Sequence, residues 1–535
     1  MRFIKSLVPY FPALLLGAAS VLGFAPFGLF PLPILTLALL FVLWRRSETP
    51  RGAAWLGFAW GMGFFLTGVS WVYVSMHDVG GMAMPLAAVA TLAFCAVLAL
   101  FPALAGFSFR RLAAADFEAP PENACGVLPP GGRNSWGGPA SFLSDAFSSD
   151  ITPACGHESS LKLCFLAAGL WTLAEWLRGW VFTGFPWLAL GYSQAPPSPL
   201  AGYAPLVGSY GVGLIAAFLA AALAFHRCRG WIVVVGIALL GLGLREVTWT
   251  TPVGEPITVN LLQGNIPQSI KWVPERLPLS IETYTRLAAT RKAALTVLPE
   301  TAIPLMLDDI PRDTLRALTR HGDALLGVAV RTQDGGYTNG AIAVTQGLTL
   351  QGYAKTHLVP FGEYAPPGFS WFFRLANIPM SDFTAGRARQ KPLDIAGQKV
   401  MPNICYEDLF GEEIIRALPE ATLLVNLSNT AWFGDSLAQP QHLQISQMRA
   451  LETGRPMLRA TNTGMTAMVS PDGTVTAALP PFVADVLTVE VRGHAGMTPY
   501  ARWGNGLALL LAICACLPAL LRALRGPGHQ GGPSG

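Results

Sequence analysis

Charge is what this chain has least of. Of its 535 residues only 13% are Asp, Glu, Lys or Arg, against 52% hydrophobic, and its mean hydropathy is +0.43. A soluble domain carries about 25% charged residues. A wholly soluble enzyme is therefore excluded, and much of the chain must lie in a membrane. The net charge of +4 is small for this length, and the basic residues sit in small groups at the ends of apolar runs. Nucleic-acid binding, which needs a basic patch interleaved with aromatics, is excluded as well. Cysteine is also sparse: the 8 thiols include no close CxxC pair, so no metal-ligand spacing is present and no cofactor is expected. Seven of them fall in apolar runs, at their edges or in the 114–160 segment, which leaves Cys405 alone between residues 247 and 502.

What is there begins with apolar runs long enough to cross a bilayer. A window of about 20 residues finds eight, at 8–25, 28–44, 53–75, 84–109, 161–177, 204–226, 230–246 and 503–522. The first follows Arg2 and Lys5 but has no small-residue cleavage site before the next run, so it reads as a retained span. Arg45, Arg46, Arg51, Arg110, Arg111, Arg227, Arg229, Arg522 and Arg525 all fall on one side if the spans alternate, and that side is the cytoplasm. The polar segment 247–502 then lies outside, in the periplasm of a bacterial inner membrane. The predicted organisation is a seven-helix membrane domain at 1–246, an extracytoplasmic domain at 247–502, a last span at 503–525 and a cytoplasmic tail at 526–535. Residues 114–160, rich in Gly, Pro and Ser, read as a disordered cytoplasmic loop.

Segment 247–502 alternates β-type runs with helical ones. ITVNLLQ, LTVLPE, ALLGVAV, GAIAVT, VMPNICYE, TLLVNLS, TAMVSP and VLTVEV read as strands, many apolar on both faces; 279–294, 311–320, 411–418 and 436–453 have helical spacing. An unpaired thiol in an oxidising compartment is either a buried small hydrophobe or a nucleophile. A nucleophile needs a base or cation nearby and donors aimed at an oxyanion. Glu300 in LPETAIP and Lys355 and Glu363 in YAKTHLVPFGEY lie at other strand ends, where they can converge with Cys405. His357 and His442 leave a Cys–His arrangement open.

PETAIP, KTHLVPFGEY and NICYED together resemble the Glu-Lys-Cys motifs of the carbon–nitrogen hydrolase (nitrilase) superfamily. FPWLALGYSQ at 185–194, LLQGNIPQSIKW at 261–272, SNTAWFG at 428–434 and MTPYARWGN at 497–505 resemble its apolipoprotein N-acyltransferase branch, so that only residues 114–160 stand apart. The resemblance implies a bundle of about eight transmembrane helices plus a nitrilase-like αββα catalytic domain. It implies Glu300 as general base, Cys405 as nucleophile and Lys355 as the cation facing the oxyanion. Glu363 would orient Lys355, the Tyr406 N–H would be a second oxyanion donor, and Glu407 would support the site. Trp272, Asn339, Asn429 and Trp432 match positions on the walls or lid. Where the family commonly has Asp in SNDAWFG, this chain has Thr430.

The reaction so implied is transfer of an acyl chain from a phospholipid, phosphatidylethanolamine by expectation, through a Cys405 thioester to the N-terminal amine of a diacylated apolipoprotein. A monomer is expected. FSWFFRLANIPM at 369–380 and the Trp432–Phe433 turn are candidate lids that would keep water from the thioester. A membrane-anchored amidase with the same triad is a second reading. A transporter would be marked by charge within the spans, where Glu175 is almost the only example.

Overall fold

The computed structural model describes residues 10–114, 157–365 and 382–525. The 369–380 stretch, the 526–535 tail and nearly all of the 114–160 segment lie outside them. Helices Phe11–Ser20, Pro31–Arg46, Pro50–Gly68, Met84–Leu112, His157–Arg178, Ala204–Arg245 and Gly506–Arg525 make the apolar part of the protein. Proline in the first turn starts several of them, where its missing N–H has no partner to lose. Arginine closes Pro31–Arg46, Met84–Leu112 and Gly506–Arg525, beside carbonyls that favour a cation. Helix contacts are close: a Cβ on Gly63 would lie 1.9 Å from the Leu14 carbonyl oxygen. Small residues let helix backbones approach in an apolar medium, where packing alone must hold them.

The eight expected spans are not all of one kind. Four helices among the described residues are long and apolar enough to cross a membrane, or five if Pro50–Gly68 and Val72–Val79, bent by 60°, count as one. The bend follows Gly68, whose missing side chain leaves room for Leu188. Phe11–Gly23 and Pro31–Arg46 are shorter than the ~20 residues a straight span needs. The run Ala204–Arg245 doubles back, since Tyr203 Oη donates to the Ile237 carbonyl at 2.8 Å and Gly202 meets the Gly241 carbonyl. A Cβ on Gly230 would touch Ala222, so the reversal lies between those two.

The polar part holds two six-stranded sheets. With β1 Thr250–Gln263, β2 Leu295–Val297, β3 Asp323–Arg331, β4 Tyr337–Val344, β5 Leu350–Ala354 and β12 Asp485–Gly496, the first runs β12-β1-β2-β3-β4-β5. With β6 Leu393–Ile395, β7 Gln398–Ile404, β8 Leu423–Ser428, β9 Met457–Thr461, β10 Ala467–Val469 and β11 Val475–Ala478, the second runs β11-β10-β9-β8-β7-β6. In each sheet three central strands are parallel (β1, β2, β3 and β7, β8, β9) and the outer pairings are antiparallel. Parallel strands carry their connections over the faces, which is why these runs are apolar on both sides.

One core lies between the sheets, where Val259, Leu261, Val297 and Leu325 meet Ile404, Leu423, Val425 and Leu427. A second lies outside the first sheet, where Leu262, Leu326 and Val328 pack under Tyr284 and Leu287 of helix Leu277–Thr290 and Leu315 of Arg312–Leu318. Leu325 and Leu326 thus face opposite cores, as a period of two requires. Helix Ala438–Thr453 covers β9 and β10 of the second sheet and packs its other side on Ala204–Arg245. Its Ile445, Met448 and Leu451 join the core of the membrane helices, together with Tyr406, Leu409 and Phe410 just after Cys405. The turn that follows the cysteine is therefore part of the seam between the two halves of the molecule.

Candidate functional site

The site forms where strand ends of the two sheets face each other. Glu300 follows β2, Asn339 lies on β4, Lys355 follows β5, Cys405 follows β7 and Asn429 follows β8. Glu300, Asn339, Lys355 and Glu363 are all buried. Lys355 Nζ donates to Glu363 at 2.8 Å and lies 3.5 Å from Glu300 Oε1. Asn339 Nδ2 bridges the two acids, 2.7 Å from Glu300 and 2.8 Å from Glu363. The other oxygen of Glu300 accepts the backbone N–H of Asn429 at 2.9 Å. Two carboxylates thus flank one ammonium, with a neutral amide holding them apart.

Cys405 is half-buried at the head of the 3-10 turn Cys405–Leu409. Its φ is +53°, a left-handed conformation that costs a non-glycine residue on the order of 1 kcal/mol or more. What holds it there is visible in its carbonyl, which accepts from Asn426 Nδ2 at 3.1 Å and lies 3.3 Å from His442 Nε2. The sharp turn presents the thiol, and the N–H of Tyr406 falls in the first turn, where no intrahelical acceptor exists. Burial and then Glu300 push the Cys405 thiol up to about 12, against the smaller opposing pull of Lys355 and the Ser428 hydroxyl. Burial pulls Lys355 down, but Glu363 and Glu300 together outweigh it and hold the ammonium above its ordinary range. The resting site is therefore a neutral thiol beside a fixed cation and its two acids.

Glu407 lies behind the site as a clamp between the segments that carry Cys405 and Lys355. Its oxygens accept the N–H groups of Ile404 (2.7 Å), Thr356 (2.6 Å) and His357 (3.2 Å) and the Tyr353 hydroxyl at 2.9 Å. It joins the end of β7 to the chain on either side of Lys355. Glu407→Ala is expected to cost at least 3 kcal/mol of stability, on the order of the loss when one member of a buried charged network is removed. Glu407→Gln, which keeps an acceptor for part of the set, should recover some of it. Thermal unfolding of the purified proteins checks this.

The other sequence-predicted residues are less close. Asn429 uses its side chain on Gln268 (2.9 Å) and Asn462 (3.1 Å), so it braces the 265–272 segment. Trp272 is half-buried beside Lys271, whose Nζ is 6.0 Å from its ring centre. The Trp432–Phe433 turn is seated on the apolar part: Ser75 Oγ donates to the Trp432 carbonyl at 2.8 Å, and the Phe433 ring lies 4.6 Å from that of Trp71. Thr430 is buried, and its backbone carbonyl accepts from Gln439 at 3.1 Å. The histidines have other partners: His442 pairs with Asp408 at 2.9 Å, and His357 stacks on Phe410.

Three features went unread in the sequence. Arg459 on β9 donates to Asp408 (3.2 Å), Asn426 (3.1 Å) and Ser446 (3.1 Å), closing a buried network under the cysteine. Lys271, lowered to about 8 by burial against the opposing charge of Glu300, donates to Thr301 Oγ1 at 2.7 Å and to the Glu300 carbonyl at 3.3 Å. A loop of the apolar part reaches up to the site, with the Tyr406 hydroxyl donating to the Gly184 carbonyl at 2.8 Å. The one available signal was polar residues crowding 438–449, AQPQHLQISQMR, on a segment with helical spacing.

Residues 16–222 match the family model of the apolipoprotein N-acyltransferase N-terminal domain, and residues 258–500 match that of the carbon-nitrogen hydrolases. An apolipoprotein N-acyltransferase of Nitrosomonas europaea is 47% identical over 529 residues, covering 96% of this chain and 97% of that one. One from Ralstonia nicotianae is 46% identical over 530 residues, covering 96% and 93%. One from Chromobacterium violaceum is 45% identical over 536 residues, covering 97% and 94%. A membrane-helix half, a two-sheet carbon-nitrogen hydrolase half and similarity along nearly its whole length place this chain in the apolipoprotein N-acyltransferase family.

Proposed function

We propose that this chain transfers an acyl chain from a phospholipid to the N-terminal amine of a diacylated apolipoprotein, with Cys405 carrying the acyl group between them. The observation that carries the reading is the meeting of Glu300, Lys355 and Cys405 at the seam with the membrane helices. In the first half-reaction Glu300 takes the thiol proton as Sγ attacks the ester carbonyl. The Lys355 ammonium and the Tyr406 N–H face the developing oxyanion. Collapse breaks the C–O bond, the leaving lysophospholipid oxygen takes the proton from Glu300, and a thioester remains. In the second half-reaction the α-amine attacks the thioester carbonyl and gives its proton to Glu300. The C–S bond breaks and the thiolate recovers that proton, so the enzyme is unchanged.

A fixed cation suits both steps because it balances thiolate and oxyanion without itself giving up a proton. The raised thiol pKa supports a concerted proton transfer over a standing thiolate. Phosphatidylethanolamine is the donor we favour, and a monomer is sufficient, since all the groups in this scheme come from one chain. Eight spans follow if the bent pair, the two shorter helices and the returning leg of Ala204–Arg245 are each counted, with domains at 1–246, 247–502 and 503–525. The arginine-rich ends then face the cytoplasm and the catalytic domain the periplasm.

The test is full-length protein in detergent with acyl-labelled phospholipid and a diacylated lipopeptide. Labelled triacylated peptide and unlabelled lysophospholipid are expected. Release of free fatty acid without transfer would make the protein a lipase instead, and turnover of small amides alone would make it an amidase. On this topology helices Met84–Leu112 and His157–Arg178 are joined on the cytoplasmic side, across the membrane from the chemistry. Deleting much of 114–160 to leave a brief polar turn is expected to change the transfer rate by less than about twofold, because loop-closure cost depends only weakly on length.

A further inference from the structure

His357 belongs to a motif of the site yet has no part in the chemistry above. It stands two residues beyond Lys355 and reaches away from it. Its Nε2 lies 3.0 Å from the carbonyl of Thr183, in the loop that follows membrane helix His157–Arg178. One residue on, the Gly184 carbonyl accepts the hydroxyl of Tyr406, the neighbour of Cys405. A single membrane-side loop therefore holds the segments carrying both the cation and the nucleophile.

That loop is in an unusual conformation. Phe182, Thr183 and Gly184 have φ of 54°, 71° and 88° in succession. Left-handed backbone at two adjacent non-glycine residues persists only where the surroundings over-determine it. Here they do so from two sides. Below, Arg178 Nη1 donates to the carbonyls of Phe185 and Trp187, and Glu175 accepts the N–H of Leu190 at 2.9 Å. Above are the two bonds from the catalytic domain. The Phe182 side chain at the loop's apex is 77% exposed, as suits a residue in contact with lipid.

The His357 ring is itself fixed. It stacks on Phe410 with centroids 3.5 Å apart and planes 17° from parallel, its Nδ1 lies 3.4 Å from Glu413, and its backbone N–H is on Glu407. We propose that His357 is a positioning residue that ties the Lys355 segment to the membrane loop Val181–Gly184, setting the catalytic groups at the depth where the membrane helices present a lipid ester. The inference rests on the roles proposed for Lys355 and Cys405. A lipid's depth is set by the membrane half and the nucleophile's by the catalytic half. An error of about 1 Å between them can cost about 100-fold in rate.

Two substitutions separate the bond from the stack. His357→Phe keeps an aromatic face on Phe410 but has no donor for Thr183, whereas His357→Gln keeps an N–H donor and loses the ring. In single-turnover acylation of Cys405 by labelled phospholipid, His357→Phe is expected to be slowed roughly 10- to 100-fold, with half-saturation by lipid unchanged. His357→Gln is expected to retain most of the rate. Gly184→Ala approaches the same bonds from the membrane side, since its Cβ would fall 1.9 Å from the Gly179 carbonyl oxygen, and should reproduce the slow phase. Wild-type speed in His357→Phe, or loss confined to His357→Gln, overturns the tie. Absence of acylation in the wild type, run beside them, would instead remove the proposed role of Cys405 and the positioning role with it.

Discussion

Cys405→Ser is expected to yield a folded membrane protein that forms no detectable acyl-enzyme and transfers nothing, a loss of roughly 10,000-fold or more, as when a nucleophile is removed from a catalytic set that acts as a unit. The site explains why oxygen will not replace sulfur. Burial and the carboxylate of Glu300 already push the thiol up to about 12, so in the proposed mechanism even sulfur ionises only as its proton passes to Glu300. A hydroxyl, intrinsically several units less acidic, meets the same two penalties with the same modest compensation from Lys355 and Ser428. Intact-mass measurement after incubation with phospholipid alone should show one added acyl chain on wild type, released by hydroxylamine, and none on the variant. Acylation of Cys405→Ser at a comparable rate would assign the nucleophile elsewhere. The raised thiol also means that resting Cys405 should react slowly with iodoacetamide at neutral pH. Since a thiol is protonated below its pKa, that rate should climb as pH rises toward 12.

Much of this site was legible because its residues sit at the ends of apolar strands, where motif and hydropathy point to one place. PETAIP follows the run that becomes β2 and NICYED closes the run that becomes β7, whereas KTHLVPFGEY follows β5, which its own residues did not mark as a strand. β9 was missed for a physical reason. MLRAT carries Arg459, which reads as solvent-facing, but here the guanidinium is buried against Asp408, Asn426 and Ser446. β5, β6 and β11 are short or half-exposed, and their pairing partners decide them more than their own residues do. Helix Ala438–Thr453 was legible as a helix but not as an internal one, because its apolar residues are split between two narrow faces, Leu443 and Ala450 toward the sheets and Ile445, Met448 and Leu451 toward the membrane helices, with buried polar residues between them. Hydropathy marked the apolar helices among the described residues, and the polar break HRCRG between its runs 204–226 and 230–246 coincides with the reversal within Ala204–Arg245. The 60° bend after Gly68 was not legible, because it does not alter the composition of the run that contains it.

The same dependence on partners governs the second large effect, expected for Lys355→Met. The substitution keeps the bulk of the stem and deletes one charge. Losing a single oxyanion donor typically costs on the order of 100- to 1,000-fold, and here the loss should exceed that range. Lys355 is the cation between Glu300 and Glu363, and among the described residues only the Asn339 amide bridges them otherwise. Without the ammonium two buried carboxylates face each other, and the favourable response is for one of them to take up a proton. If that proton settles on Glu300, the base is occupied before the thiol arrives, so one substitution removes both the oxyanion's partner and the acceptor for the thiol's proton. Glu300→Gln should match it by a different route, since the amide cannot accept the thiol proton although the cation stays. Glu363→Gln, which leaves Lys355 paired with Glu300, should be milder than either. The measurement is the initial rate of thioester formation from labelled phospholipid with no acceptor present, on variants matched for folding. The order expected is wild type, then Glu363→Gln, then the other two near background. Lys355→Met or Glu300→Gln acylating at close to the wild-type rate would overturn the triad, and a requirement for His442 in their place would move the base to the other side of the Cys405 turn.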